Sequence, residues 1–157
     1  LVSSSAASDV YKRQERMSSR LSSYAAETPR QLGMGRLIAL GSILALALSF
    51  LTWPADSPLR QTALFSAMVM GLLQGYFALR VEFDIRVFRN WASRWRTGGD
   101  PATDLAEFDA RIGRQARRVG SLRQELEMRS AGARRLLMLQ TASAAAQLLF
   151  LAIALWP

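Results

Sequence analysis

The sequence predicts an all-α integral membrane fold: three transmembrane helices, with an amphipathic cytoplasmic helical hairpin between the second and the third. Three observations carry that expectation. Uncharged stretches of 19, 19 and 22 residues lie at 37–55, 61–79 and 136–157, each matching the roughly 20 residues that cross hydrocarbon. A soluble amphipathic helix would instead show a charge every turn or two on its outer face. Arginine is spread unevenly around these runs, and the segment between the last two alternates apolar and basic positions at helical spacing.

In chain order, residues 1–14 (LVSSSAASDVYKRQ) resemble translated sequencing-adapter read-through and are set aside as an artefact. They hold the only lysine, Lys12, while the remainder relies on arginine and is rich in alanine. Residues 15–35 are expected to form a disordered tail, with Met17 and Met34 both candidate starts. The first transmembrane helix is placed at 36–55. Within it Ala47-Leu48-Ser49 offers the small residues of a cleavage site, but the apolar run continues through Phe50, Leu51 and Trp53, which favours an uncleaved anchor. The second and third transmembrane helices are placed at 60–80 and 136–157.

Orientation follows from the arginines. The segment 80–135 carries 13, the connection 54–60 carries only Arg60, and Arg16, Arg20, Arg30 and Arg36 precede the first run. Positive charge stays on the cytoplasmic side of short loops. The expected protein therefore sits in a bacterial inner membrane with its N-terminus cytoplasmic and its C-terminus periplasmic, and Trp53 and Trp156 fall at the outer interface, a depth that suits rings with one polar edge.

Each run carries one small or polar stripe, as helix association in lipid requires. In the second run Ala67, Gly71, Gln74, Gly75 and Ala78 share a face; in the first, Ser42, Ala45, Ser49 and Thr52; in the third, Gln140, Ser143, Ala144 and Gln147. Packing within one bundle and a homo-oligomer seam through Gly71 and Gly75 both fit. Gln74 and Gln140 fall at similar depth, which predicts that they face each other or share a partner.

Past Arg80 the helical period continues through Val81, Ile85, Phe88, Ala92 and Trp95, so the second helix extends beyond its apolar run. Arg80 with Asp84 and Glu82 with Arg86 are spaced for surface pairs. Residues 97–101, Thr-Gly-Gly-Asp-Pro, break the helix, and Asp100 before Pro101 suits a new start. From Leu105 a heptad pattern runs through Phe108, Ile112, Gln115, Val119, Leu122, Leu126, Arg129, Ala133 and Leu136, with Arg111, Arg114, Arg117 and Arg118 on the basic side. The apolar stripe packs back on 81–96, or lies in the headgroup interface with these arginines toward lipid. A continuous helix over 102–135 would measure about 50 Å against about 24 Å for 81–96, so it must bend or run on unpaired. Gly113, Gly120-Ser121 and Ser130-Ala131-Gly132 are the candidate sites, with Gly120-Ser121 preferred.

With no cysteine and no histidine in the chain, disulfides, thiolate chemistry and histidine or cysteine metal ligation are excluded. Asp100, Asp104, Glu107 and Asp109 are the candidates for a magnesium-dependent lipid enzyme, but their spacing lacks the glycine and arginine partners of the membrane-embedded phosphatidyl transferases, and acids near a helix start more often serve its dipole. No catalytic, cofactor or metal site is assigned. No Asp, Glu, Lys or Arg lies inside the runs 37–55, 61–79 and 136–157, which disfavours a transport pathway. Nucleic acid is not an expected partner, because topology accounts for the arginines and no recognition motif accompanies them.

The stretch Phe77–Asp84, aromatic-Ala-Leu-Arg-Val-x-Phe-Asp at the end of a run, together with the terminal apolar helix, resembles small three-span inner-membrane proteins of proteobacteria over residues 36–157. That resemblance implies architecture and no activity. The expectation is a non-enzymatic scaffold or accessory subunit whose basic helices meet membrane lipids or a protein partner, with an oligomeric transport or channel component as the alternative.

Overall fold

The computed structural model describes residues 3–53, 56–113 and 120–156, with side chains at Met17 and from Ser19 onward. It comprises five helices, α1 (Ser3–Leu32), α2 (Met34–Leu51), α3 (Pro58–Arg96), α4 (Pro101–Arg111) and α5 (Leu122–Leu155), and the described residues contain no strand. Three stretches are long and apolar enough to cross a membrane: Ser19–Leu51, running through α1 and α2 across Gly33, Pro58–Arg96, and Leu122–Leu155.

The helix ends follow from local chemistry. At the start of α3, Ser57 Oγ accepts from Arg60 N at 3.3 Å, and Pro58 opens the helix where its missing N–H is no loss. Its other end closes on glycine: Gly98 takes φ +93°, Gly99 N donates to Arg94 O at 2.9 Å and Gly98 N to Trp95 O at 3.5 Å, a Schellman pattern. Asp100 then caps α4, accepting from Ala102 N and Thr103 N at 3.2 Å each. The break expected at 97–101 is thus a helix stop and a helix start placed side by side.

Two sequence expectations differ from what is observed. Residues expected as a disordered tail are helical: α1 buries Leu21, Ala25 and Thr28, spaced four and three apart, and Tyr24 Oη lies 3.0 Å from Ser130 Oγ. Apart from Leu21 the stripe is made of small and polar residues, so it gives little hydropathy signal despite its correct period. The long helix at 102–135 does not form either. α4 ends at Arg111, Gly113 and Gly120 both adopt positive φ (+69° and +83°), and α5 begins at Leu122. Its start is a reciprocal capping box, Ser121 Oγ accepting from Gln124 N and Gln124 Oε1 accepting from Ser121 N at 3.1 Å. The bend expected at Gly120-Ser121 is the start of a new helix, and Ile112 of the heptad pattern is exposed.

The chain divides into two compact units, an arginine-rich one formed by Leu1–Arg30 with Ile85–Ser130 and an apolar one formed by Gln31–Asp84 with Ala131–Pro157. The apolar unit holds α2, most of α3 and most of α5. Arg36 of α2 grips Glu82 of α3 with two hydrogen bonds of 2.9 and 2.7 Å, while Arg60 Nη2 of α3 donates to Trp156 O at 2.6 Å beyond the end of α5. These pairs mark opposite ends of an antiparallel bundle. Its burial is inverted relative to a water-soluble core: Gln74, Gln140, Gln147, Ser42 and Ser49 are buried, whereas Leu37, Leu44, Phe50, Leu72, Phe65 and Leu149 are exposed. An apolar exterior over a polar seam suits lipid, where side-chain hydrogen bonds between helices replace hydrophobic burial as the adhesive.

Candidate functional site

In the apolar unit the polar seam is built from the stripes read in the sequence. Ser42 Oγ donates to Gln147 Oε1, and Gln147 Nε2 returns a bond to Ser42 O at 3.1 Å, so α2 and α5 are clasped reciprocally. Two turns earlier on α5, Gln140 Nε2 donates to Gly35 O at 2.6 Å. Ala67 and Gly71 of α3 are buried against this seam; a Cβ at Gly71 would stand 2.6 Å from Gln147 Nε2. Gly75 is different. A Cβ there would meet nothing within 4 Å, so of the Gly71-x-x-x-Gly75 pair only Gly71 is closely packed among the described residues.

Gln74 is buried, as its position on the stripe predicts, but its Nε2 has no hydrogen-bond partner, and neither has Gln140 Oε1. A bond from the Gln74 amide to the Gln140 oxygen is therefore not made, while Gln140 Nε2 donates to the Gly35 carbonyl. Beyond Gln147 the interior turns apolar: Ala45, Ala63, Leu64, Ala67, Leu151 and Ala154 cluster, and Ser49 turns its hydroxyl onto Ala45 O of its own helix.

The arginine-rich unit has a buried charge that sequence reasoning missed. Arg129 Nη2 lies 2.7 Å from Asp109 Oδ1 and 2.7 Å from Glu125 Oε1, and its guanidinium carbon stands 5.7 Å from the Trp91 ring centre and 5.3 Å from that of Phe108. Trp91 in turn stacks on Trp95 and meets Phe108 and Phe88 edge-on. One guanidinium thereby ties α3, α4 and α5. Its Nε is buried without a partner. The available signal was Arg129 at a position of the apolar heptad, where a charge needs a buried carboxylate to be tolerated.

The four acids each find separate partners. Asp100 also accepts from Thr103 Oγ1 at 2.7 Å, which, with the backbone amides of Ala102 and Thr103, lowers its pKa against a smaller opposing effect of burial. Asp104 is buried, accepting from Trp95 Nε1 at 2.9 Å, with Arg94 Nη2 2.9 Å from its other oxygen but off the direction of a hydrogen bond. Glu107 faces Arg111 at 3.9 Å and Asp109 holds Arg129. Among the described residues no group of three or more acids is arranged to hold a metal ion.

Of the arginines singled out for headgroup or partner contact, Arg111 is exposed, while Arg114, Arg117 and Arg118 lie outside the described residues. Other exposed arginines of this unit are Arg20, Arg30, Arg86, Arg89, Arg94, Arg96 and Arg123; in the apolar unit Arg36, Arg80, Arg134 and Arg135 stand at the Gly35 end of the bundle.

Fold and surface together define a class: an all-helical protein with three helices long and apolar enough to span a membrane. No protein family matches the chain, and neither does any curated protein or solved structure.

Proposed function

We propose that this chain is a small non-enzymatic scaffold or accessory subunit of the bacterial inner membrane, with its N-terminus cytoplasmic and its C-terminus periplasmic, that engages anionic headgroups or a partner protein through its basic helices. One observation carries the reading. Exposed arginines gather at one end of the apolar bundle, Arg36, Arg80, Arg134 and Arg135, whereas Arg60 is the only arginine at the other. That asymmetry is what retention of positive charge on the cytoplasmic side produces, and each basic group near an anionic leaflet adds attraction of about 1 kcal/mol.

Support for a scaffold over a transporter comes from the interior. Among the described residues of the apolar unit the buried polar groups are uncharged, and beyond the Ser42–Gln147 clasp they give way to the apolar Ala45–Leu64–Leu151 cluster, which supports the scaffold reading. The test is a reporter fused after Asp100 in the full chain, with photo-crosslinkers at Arg89 and Arg123. The expected result is a cytoplasmic reporter and crosslinks to phospholipid or to one discrete protein. A reporter on the outer side, or an adapter-free chain that stays dissolved and monomeric without detergent, would overturn the reading.

A further inference from the structure

We propose that the cleft at the Arg60 end of the apolar unit binds the phosphate of a phospholipid headgroup, with the upper part of an acyl chain along its walls. The cleft measures about 390 Å³ and is lined by Ser57, Leu59, Arg60, Ala152, Ile153 and Trp156, within the roughly 300–1,000 Å³ range of small-molecule sites. Arg60 is its sole charge. Among the described residues Arg60 forms no ion pair; its guanidinium donates to Trp156 O at 2.6 Å, which fixes the fork while leaving most of its five donors unused.

A guanidinium held this way presents parallel N–H groups that match phosphate oxygens. Apolar walls beside it select a ligand that is anionic at one end and hydrocarbon at the other. Trp156 and Leu59 are exposed and border the opening. An indole edged by a polar N–H belongs at headgroup depth, so the cleft lies where the membrane presents its own phosphate to an arginine that forms no ion pair among the described residues. A free anion would leave the walls unfilled, and a neutral diglyceride would leave Arg60 without a counter-charge.

This rests on the membrane-spanning reading above, so the experiment separates the two. Full-length chain is purified in detergent and titrated by native mass spectrometry with dioleoylphosphatidylglycerol, with dioleoylglycerol, and with inorganic phosphate, while partitioning into membranes is scored in parallel. One phosphatidylglycerol per chain is expected, with affinity reduced about ten- to a hundredfold in Arg60→Gln, as loss of a charge-assisted bond implies, less reduced in Arg60→Lys, and abolished in Ala152→Trp, which fills the cleft. Should Ala152→Trp fail to fold by circular dichroism, the Arg60 pair decides. Equal binding by wild type and Arg60→Gln, equal uptake of dioleoylglycerol, or equally tight binding of inorganic phosphate alone would overturn the site. A chain that does not partition into membranes overturns the spanning reading; one that does, yet retains no phospholipid, overturns only the cleft.

Discussion

Arg129 and Asp109 meet at 2.7 Å on two helices that the chain separates by an interruption, and both side chains are almost withdrawn from solvent, 13% and 10% exposed. A guanidinium in that position is retained because two carboxylates and two aromatic faces replace its water. It also fixes geometry, since Trp91, Phe108 and Asp109 are all referred to one planar group.

Removing the cation should be far worse than removing one acid. Arg129→Ala leaves Asp109 and Glu125 facing each other without compensation and should cost about 3–5 kcal/mol, the usual penalty for breaking a buried pair from one side. Glu125→Gln keeps the Asp109 bond, and Glu125 is the more exposed acid, so its cost should stay below about 1 kcal/mol. Thermal unfolding of the full chain in detergent, followed by tryptophan fluorescence, would decide; equal midpoints for Arg129→Ala and wild type would show that the clasp is incidental.

Much of this architecture is readable from residues alone because hydropathy and period report on burial directly. Val81, Ile85, Phe88, Ala92 and Trp95 are all buried on the face their spacing predicts, and Ser42, Gln140 and Gln147 of the polar stripes bond in the seam, whereas Gly75 takes no part in it. The failures share a cause. α1 is hidden because Ala25 and Thr28 pack well without being strongly apolar. The 102–135 helix is overextended because heptad spacing persists across Gly113 and Gly120, and periodicity cannot see a positive φ. Ser121-Leu122-Arg123-Gln124 was the local signature that should have outweighed it. Arg129 could be noticed in the sequence but not paired, since its partner Asp109 lies across that interruption.

Stability of α4 should depend on pH through Asp100. Its folded pKa is lowered, chiefly by the Thr103 hydroxyl, so its contribution is fully present above the unfolded value of about 3.9 and is lost as pH falls through the folded value. Hydrogen exchange at Ala102 and Thr103, corrected for intrinsic rate, should show protection at pH 5 declining in the acid range. Asp100→Ala should remove the dependence and cost about 1 kcal/mol. Asp100→Asn, which still caps but does not ionise, should remove the dependence at smaller cost. Persistence of the full acid transition in Asp100→Asn would assign it to another group.

The three buried glutamines should not be equivalent. Gln147→Leu breaks both arms of the Ser42 clasp and Gln140→Leu orphans the Gly35 carbonyl, so each should lower stability by about 0.6–2 kcal/mol. Gln74→Leu removes a donor that has no acceptor and should be neutral or stabilising. Melting of the three variants in one detergent gives the ranking directly. A Gln74 variant that is the least stable of the three would mean that this amide has an interhelical partner under those conditions.

Gly71 and Gly75 separate intramolecular packing from self-association. A methyl group at Gly71 would crowd Gln147 Nε2 at 2.6 Å and Leu46 Cδ1 at 3.2 Å, forcing the Ser42 clasp apart, and such overpacking costs about 1–3 kcal/mol. At Gly75 the same methyl enters open space, and replacing a mid-helix glycine should add up to about 1 kcal/mol of helix stability. Gly71→Ala is therefore expected to lower the melting temperature and Gly75→Ala to hold or raise it. Gly75→Leu supplies the discriminating measurement: with Gly75 facing lipid, sedimentation in detergent should give the same mass as wild type. A wild-type dimer that Gly75→Leu converts to monomer would place a second copy of the chain against this face, and the seam through the glycines would then be intermolecular at Gly75 while remaining intramolecular at Gly71.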